Sequence, residues 1–409
     1  KSESDVSIEV GRSGTISVAK PKQHRASLSD FAANEGGQCP SCGAEGLVGE
    51  PCSHRVCSGH EIHIIPTPYA DLYRERLAHS PFPDLLVGRR IHDYLVVDTL
   101  GSGSVGRVFC ALQLPVLMRV ALKISSARHV ASRDSALHTS HFVREAKILA
   151  RLRHPHIVTL MHYGVFQALP FIVTDLVEPA CTLRDELRRR TVEGESLRFS
   201  EVRGIVEQIL DALYYAHSEF VVHRDIKPEN VLLQRTPGTN RIFVRVLDFG
   251  LAKVVRESHE TNYVSGTAIY MAPEQILGSE IGPWTDLYAV AVMLSELITG
   301  SCLFAGMDRA TVYRLKLGDG GHVARALSDH ALPPEALEFF RVALARAPSE
   351  RQRDVTQFRE QMERMFDALE VGGKTELSAD EISRLLQSRV GGLTQSRRHS
   401  PSISDATVI

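Results

Sequence analysis

His223-Arg224-Asp225-Ile226-Lys227-Pro228-Glu229-Asn230 sets a carboxylate, a cation and an amide at fixed offsets around a proline. Asp225 and Asn230 lie five positions apart, so a tight loop would aim both side chains at one place. A carboxylate accepts a proton, an ammonium pairs with phosphate, and an amide oxygen ligates a hard divalent ion. Phosphoryl transfer from a nucleotide demands all three. By itself such a loop is equally well a solvated turn. Its reading rests on whether the missing parts occur elsewhere in the chain, and in order.

Upstream, a strand pattern over Tyr94–Leu100 runs into Gly101-Ser102-Gly103-Ser104-Val105-Gly106, and Arg107-Val108-Phe109-Cys110-Ala111-Leu112 reads as the returning strand. Missing side chains in such a hairpin let backbone N–H groups approach phosphates. A dinucleotide site would follow the glycines with a helix and an acid about twenty residues on. A strand follows instead, which points to a flap over a nucleotide. The third strand, Arg119–Ile124, holds Lys123 in an apolar run, where an ammonium is costly without an anion. The segment Ser140–Arg153 has helical spacing, with Phe142, Ala146, Leu149 and Leu152 on one side, and its Glu145 is the natural partner for Lys123. Ile157–Phe166 and Pro170–Val177 read as two further strands, five in all.

After Glu178 the pattern turns helical: Leu183–Arg190, then Ser200–Ser218 with Ser200 as its cap. Beyond the opening loop come a short strand at Val231–Leu233, a hairpin turn near Pro237-Gly238, and Phe243–Leu247 leading into Asp248-Phe249-Gly250. A polar segment, Leu251–Tyr270, closes on Met271-Ala272-Pro273-Glu274. From there to Leu369 the pattern is mostly helical and includes the apolar run Asp286–Thr299.

Taken in this order, the motifs from about Tyr94 to Met365 resemble a protein kinase of the bacterial serine/threonine class that is similar to eukaryotic kinases. The resemblance implies an α+β, bilobal protein-kinase fold over residues 91–369. Its N-lobe (91–177) would be five-stranded with one main helix, and its C-lobe (178–369) mostly helical. It implies that Leu100, Gly101, Ser102, Gly103, Ser104, Val105, Gly106, Arg107 and Val108 cover the phosphates of ATP. Lys123 would bind the α- and β-phosphates while held by Glu145, and the hinge residues Asp175 and Val177 would contact the cofactor. Asp225 becomes the base that orients the acceptor hydroxyl, Lys227 contacts the transferring phosphate, and Asn230 and Asp248 ligate magnesium, with manganese as a substitute. Asp286 corresponds to an aspartate that braces the loop through backbone N–H groups, and Arg351 to an arginine that pairs with Glu274. Lys227 and the shelf Gly266-Thr267-x-x-Tyr270 imply serine and threonine hydroxyls on protein substrates. Arg224, directly before the base, implies a phosphate on the neighbouring segment, with Thr261 favoured over Ser258 and Ser265. The alternative from another class is a pseudokinase or zinc-ribbon scaffold that binds partners without transfer. Loss of Lys123, Asp225 or Asp248 would favour it, and all three are present.

The 409 residues leave room for more than one domain. A hydrophobic content of 43% and a net charge of −2 are those of an ordinary globular protein without a basic field for nucleic acid. No basic-then-apolar signal segment opens the sequence and no apolar run spans a bilayer, so a cytoplasmic protein is expected. Four of the seven cysteines, Cys39, Cys42, Cys52 and Cys57, crowd into one window. The glycine of Cys39-Pro40-Ser41-Cys42-Gly43 permits the sharp turn that lets two thiolates share an ion, and the second pair would complete a tetrahedron of structural zinc. His54 or His60 is an alternative for one ligand. The window resembles the small zinc-ribbon modules in front of some bacterial kinases and offers a docking point for a protein. The expected order is a disordered arm (1–38), this module (39–63), a linker rich in proline (64–90) with a short helix around Tyr69–Ala78, the kinase domain, and a tail (370–409) with one short helix at Ser378–Arg389.

Overall fold

The computed structural model describes residues 36–79, 84–102, 106–125, 143–235, 239, 241–249, 266–318, 321–330 and 332–371. Residues 1–35 of the expected N-terminal arm, the flap tip, the hairpin turn near Pro237-Gly238, the segment holding Ser258, Thr261 and Ser265, and the tail helix lie outside them, while residues 36–38, expected in the disordered arm, form a strand. The chain divides into two compact units. One comprises residues 1–100 and 109–120, and the other residues 101–108 and 121–409.

The first unit opens with β1 (Gly36–Gln38), β2 (Glu45–Leu47), the single-turn α1 (Arg55–Ser58) and β3 (Ile65–Pro66), the strands forming a small antiparallel sheet in the order β2-β1-β3. Next is α2 (Thr67–His79), followed by β4 (Arg90–Ile91), β5 (Tyr94–Ser102), β6 (Gly106–Gln113) and β7 (Met118–Ser125), adjacent in that order. The short helix expected around Tyr69–Ala78 within the linker of 64–90 is α2, which runs a little longer, over thirteen residues. Pro66 closes β3 and Pro68 falls in the first turn of α2, where a missing N–H breaks no helical bond. The helix is tied on both sides. Arg74 donates to the carbonyl of Cys39 (3.2 Å) and to Gln38 (2.5 Å), Tyr73 donates to the carbonyl of Asp84, and Arg76 pairs with the buried carboxylate of Asp98 on β5. The turn at Gly88 accepts from His63 N–H and donates to the Val96 carbonyl. A Cβ at Gly88 (φ 85°) would lie 2.7 Å from the Pro40 ring, so the cysteine knuckle and this turn approach as closely as a glycine allows.

In the second unit β7 is followed by helical residues 143–149, called α3, and by the hairpin β8 (Leu160–Phe166) and β9 (Leu169–Asp175), in the order β7-β9-β8. With the short β4 the strand count is six rather than five. Then come β10 (Ala180–Thr182), α4 (Leu183–Glu193), α5 (Phe199–Ser218), β11 (Val231–Arg235) and β12 (Ile242–Val246), the three strands pairing as β10-β11-β12. The chain continues through α6 (Gly266–Tyr270), α7 (Pro273–Leu277), α8 (Pro283–Thr299), α9 (Arg309–Lys316), α10 (Gly321–Ser328), α11 (Pro334–Ala343) and α12 (Val355–Val371). Ser200 does not cap α5. The helix starts one residue earlier, and Glu201 folds back to accept from the N–H of Arg198, which leaves Ser200 inside the first turn.

The core of this unit is set by two helices. On α5, Val202, Ile205, Ile209 and Leu213 recur at helical spacing and are fully buried, each contributing about 2 kcal/mol by leaving water. On α8 every residue from Thr285 to Thr299 is buried, the mark of a helix surrounded by protein on all sides. These two helices anchor the loops that follow and precede them. Among the described residues no helix is long and apolar enough to cross a membrane.

Candidate active site and cysteine centre

The loop 223–230 is shaped from below by Asp286, which lies in the first turn of α8 and has no exposed surface. One of its oxygens accepts from the N–H of His223 (2.8 Å) and the other from the N–H of Arg224 (2.7 Å). His217 of α5 lies 2.8 Å from the former oxygen. Burial opposes the charge of Asp286, but His217 and the backbone donors outweigh it and hold its carboxyl below the usual range. The two N–H bonds help hold Arg224 at φ 69°, a left-handed conformation that costs a non-glycine residue about 1–2 kcal/mol. Gln275 holds the Arg224 carbonyl from the other side at 2.8 Å. The brace expected of Asp286 is present.

The turn this creates brings the three expected side chains together. Lys227 Nζ donates to Asp225 Oδ2 at 2.7 Å, and Asn230 Nδ2 donates to the Asp225 carbonyl at 2.8 Å and to Oδ2 at 3.1 Å. Pro228 starts a one-turn 3₁₀ helix, Pro228–Asn230, which makes the five-residue spacing a reversal. The loop is also stitched to the end of β12. His223 Nε2 is 2.7 Å from the carbonyl of Leu247, and the N–H of Leu247 donates to the Asn230 carbonyl. Asp248, at φ 58°, is the next residue. Phe249 beside it is fully buried with its ring edge against His223.

Lys123 joins Asp248 and Glu145. Its Nζ lies 2.6 Å from Asp248 Oδ1 and 3.0 Å from Glu145 Oε1. Burial works against the ammonium, yet the two carboxylates more than restore it and raise its pKa. They do not share it equally. Burial pushes Glu145 up to about 7, although Lys123 pulls it the other way and the like charge of Asp248 adds to the push. Asp248 is held below the ordinary range, since Lys123 outweighs its burial. Two carboxylates on one ammonium leave a surplus negative charge, and the carboxylate and amide oxygens of Asp248 and Asn230 suit a hard cation such as magnesium.

Other expected residues fall as follows. Leu100, Gly101 and Ser102 end β5, and Gly106, Arg107 and Val108 begin β6; Gly103, Ser104 and Val105 lie outside the described residues. A Cβ on Gly106 would meet the Ile124 carbonyl at 2.2 Å, so close packing of the strands alone demands this glycine. Asp175 spends its carboxylate on the Thr159 N–H (2.5 Å) and on Arg245, while Val177 is buried. Glu274 and Arg351 form the expected pair at 2.8 and 2.9 Å, both nearly without exposure. Thr267 is in α6.

One feature of this region has no counterpart in the sequence reading. Arg184 of α4 donates to Glu229 (2.9 Å), to Glu296 of α8 (2.7 Å) and to the hydroxyl of Tyr270, which also bonds Glu296. The guanidinium thereby links the catalytic loop, the shelf and the central helix. Its positions are 45, 86 and 112 residues from its partners, so no local pattern announces it.

In the first unit the four cysteine sulfurs lie within 4.8 Å of one another, with Cys39–Cys57 at 3.8 Å and Cys42–Cys52 at 3.6 Å. A tetrahedral zinc with bonds of about 2.3 Å has sulfur–sulfur edges of about 3.8 Å. The cysteines are free rather than bridged. Gly43 takes φ 78° and donates to the Cys39 carbonyl, making the knuckle turn. His54 and His60 are not in this group; His54 is the residue before α1. Burial and the neighbouring thiols push Cys57 up to about 12.

The sheet, the helices that follow it and this ordered set of acid, amide and lysine are those of the protein kinase class. The chain belongs to the protein kinase family, whose protein kinase domain matches residues 94–362. It is 30% identical over 308 residues to the serine/threonine-protein kinase PknL of Mycobacterium tuberculosis, covering 75% of this chain and 70% of that one. It is 32% identical over 295 residues to the serine/threonine-protein kinase pkn3 of Myxococcus xanthus, covering 69% of this chain and 52% of that one. The chain thus spans about half the length of pkn3. The crystal structure of the Mycobacterium tuberculosis PknI kinase domain superposes with a TM-score of 0.52 at 27% identity, covering 68% of this chain and 98% of that one.

Proposed function

We propose that this protein is an active kinase that phosphorylates serine and threonine hydroxyls of protein substrates in signal transduction, with residues 91–369 as the kinase domain. The observation that carries the reading is the convergence of Asp225, Lys227 and Asn230 within one hydrogen-bonded turn, together with the Lys123–Glu145–Asp248 triad. Asp225 orients the acceptor hydroxyl and takes its proton, while Lys227 neutralises the phosphate oxygens beside it. Lys123 holds the nucleotide phosphates and is kept in place by Glu145. Asn230 and Asp248 hold magnesium, with manganese as a substitute. Bound magnesium-ATP supplies the phosphoryl group and screens its charge. Leu100–Val108, Asp175 and Val177 border the nucleotide, the hinge pair through the main chain, because the Asp175 carboxylate is already engaged.

A test is incorporation of label from radiolabelled ATP by wild type and by Asp225→Asn. Label in the wild type well above the variant is expected. Equal background in both, with magnesium and manganese each tried, returns the protein to the pseudokinase scaffold reading.

Three finer parts belong to the same proposal. Arg224 is exposed and, among the described residues, makes no ion pair, which leaves it available to a phosphate on the segment that contains Thr261. Autophosphorylation at Thr261 is expected; Thr261→Ala with unaltered activity and an unaltered phosphosite map overturns it. Cys39, Cys42, Cys52 and Cys57 hold a structural zinc, supported by the tetrahedral sulfur spacing. The module carries a protein partner rather than nucleic acid, since Arg55 is its only strong base, and the protein works in the cytoplasm.

A further inference from the structure

Lys316 is the last residue of α9, a place where a lysine ordinarily lies in solvent with its charge on the helix C-terminus. Here its residue exposure is 5%. Among the described residues no carboxylate pairs with it. Its ammonium instead donates to two main-chain carbonyls, Ile269 (2.5 Å) and Met271 (2.6 Å). The centroids of the Phe304 and Tyr288 rings lie 4.8 and 5.1 Å from Nζ, within the range of a cation–π contact. Burial draws its pKa well down from the ordinary lysine range, and the two carbonyl bonds are geometric facts that hold for a donor in either charge state.

The two carbonyls need a donor for a reason written in the sequence. Ile269 would ordinarily receive a helical bond from the N–H four residues on, but that residue is Pro273. Met271 would receive one from Gln275, whose N–H goes to Ala272 instead. The main chain between α6 and α7 is therefore left with two acceptors that the helices do not satisfy, and Lys316 supplies both bonds. The residue between them, Tyr270, is fixed from its other end by Arg184 and Glu296. Residues 269–271 are pinned through carbonyls on one side and a phenol on the other, two positions after Thr267 of the acceptor shelf.

We infer that Lys316 is a positioning residue for the protein acceptor: it fixes the main chain of 269–271, and through it the shelf on which the serine or threonine segment lies. The inference rests on the kinase reading above. It assigns Lys316 no contact with ATP, magnesium or the transferring phosphate. Lys316 also lines a cavity of about 1190 Å³, together with Tyr288, Trp284 and Leu327.

The test compares the full-length wild type with Lys316→Met, which keeps length but has no donor, and Lys316→Gln, which keeps two N–H donors on a shorter stem. For each, KM and kcat are measured with a serine or threonine peptide, together with the affinity for ATP and the rate of ATP hydrolysis by water. Lys316→Met is expected to raise the peptide KM about tenfold, with ATP affinity and water-driven hydrolysis within twofold of wild type, and Lys316→Gln to fall between. Activity that drops only in proportion to the fraction able to bind ATP, with peptide KM unchanged, makes the lysine purely structural and overturns the inference. So does a peptide KM unchanged in both variants, or failure of both to bind ATP. A wild type that transfers no phosphate to any acceptor defeats the kinase reading itself, a separate outcome.

Discussion

The catalytic centre and the cysteine centre solve the problem of buried polar groups in opposite ways. Around Lys123 and Asp225 every charge already has an internal partner: two carboxylates share one ammonium, and Lys227 and Asn230 satisfy Asp225. Such a site can stand folded without its nucleotide. The four thiols face one another, with sulfurs 3.6 and 3.8 Å apart in two pairs, a geometry that makes full sense around a cation. One region brings its own counter-charges and borrows a ligand for chemistry. The other, on the zinc proposal, borrows a ligand for its structure.

The largest effect should come from breaking the dependent side. Zinc near one ion per chain is expected by elemental analysis of the purified protein. Cys39→Ser should reduce that to near zero and unfold residues of the cysteine module in hydrogen exchange, since a structural zinc site contributes on the order of 10 kcal/mol to folding. His54→Ala and His60→Ala should keep the full metal content. Metal retained by Cys39→Ser, or an absence of zinc in the wild type, would erase the contrast between the two centres.

Asp225→Asn should act the other way round. Phosphoryl transfer should fall by about 10³-fold, or about 4 kcal/mol of barrier, while the melting temperature stays close to wild type. The substitution keeps an acceptor for Lys227 and Asn230 and removes only the charge, so a large loss of stability would mean that the Asp225 charge, and not only its acceptor oxygen, holds the loop together.

Smallest of all should be Arg76→Ala, which cuts one tie between α2 and β5. Arg76 is 47% exposed, so solvent screens its pair with Asp98, and the N–H of Thr99 still satisfies the carboxylate at 2.7 Å. A loss below about 1 kcal/mol in chemical denaturation is expected. A larger loss would show that the helix, and not the metal knuckle, holds the module in place.

Both centres were legible as motifs because their parts are local. Asp225 to Asn230 lie in one turn, and Cys39 to Cys57 in one short window, so spacing nearly fixes geometry. The bracing by Asp286 and the Glu274–Arg351 pair span 62 and 77 residues and were readable only through resemblance to a family. The helix expected around Tyr69–Ala78 begins two residues earlier than the spacing suggests, because Pro68 sits in its first turn, where proline is tolerated. Ser200 reads as a cap on residue type alone, whereas the side chain of Glu201 decides where α5 begins.

By itself, then, the sequence determined the family and the residues proposed to carry its chemistry, because a loop, a glycine turn and a knuckle are short enough for covalent spacing to dictate shape. Only the tertiary structure decided what Arg184 and Lys316 do. Both are cations on helices that look like solvent-facing residues in the chain. Folding buries them against acceptors 45 to 112 residues away, and a buried donor takes whichever partners the fold leaves unsatisfied.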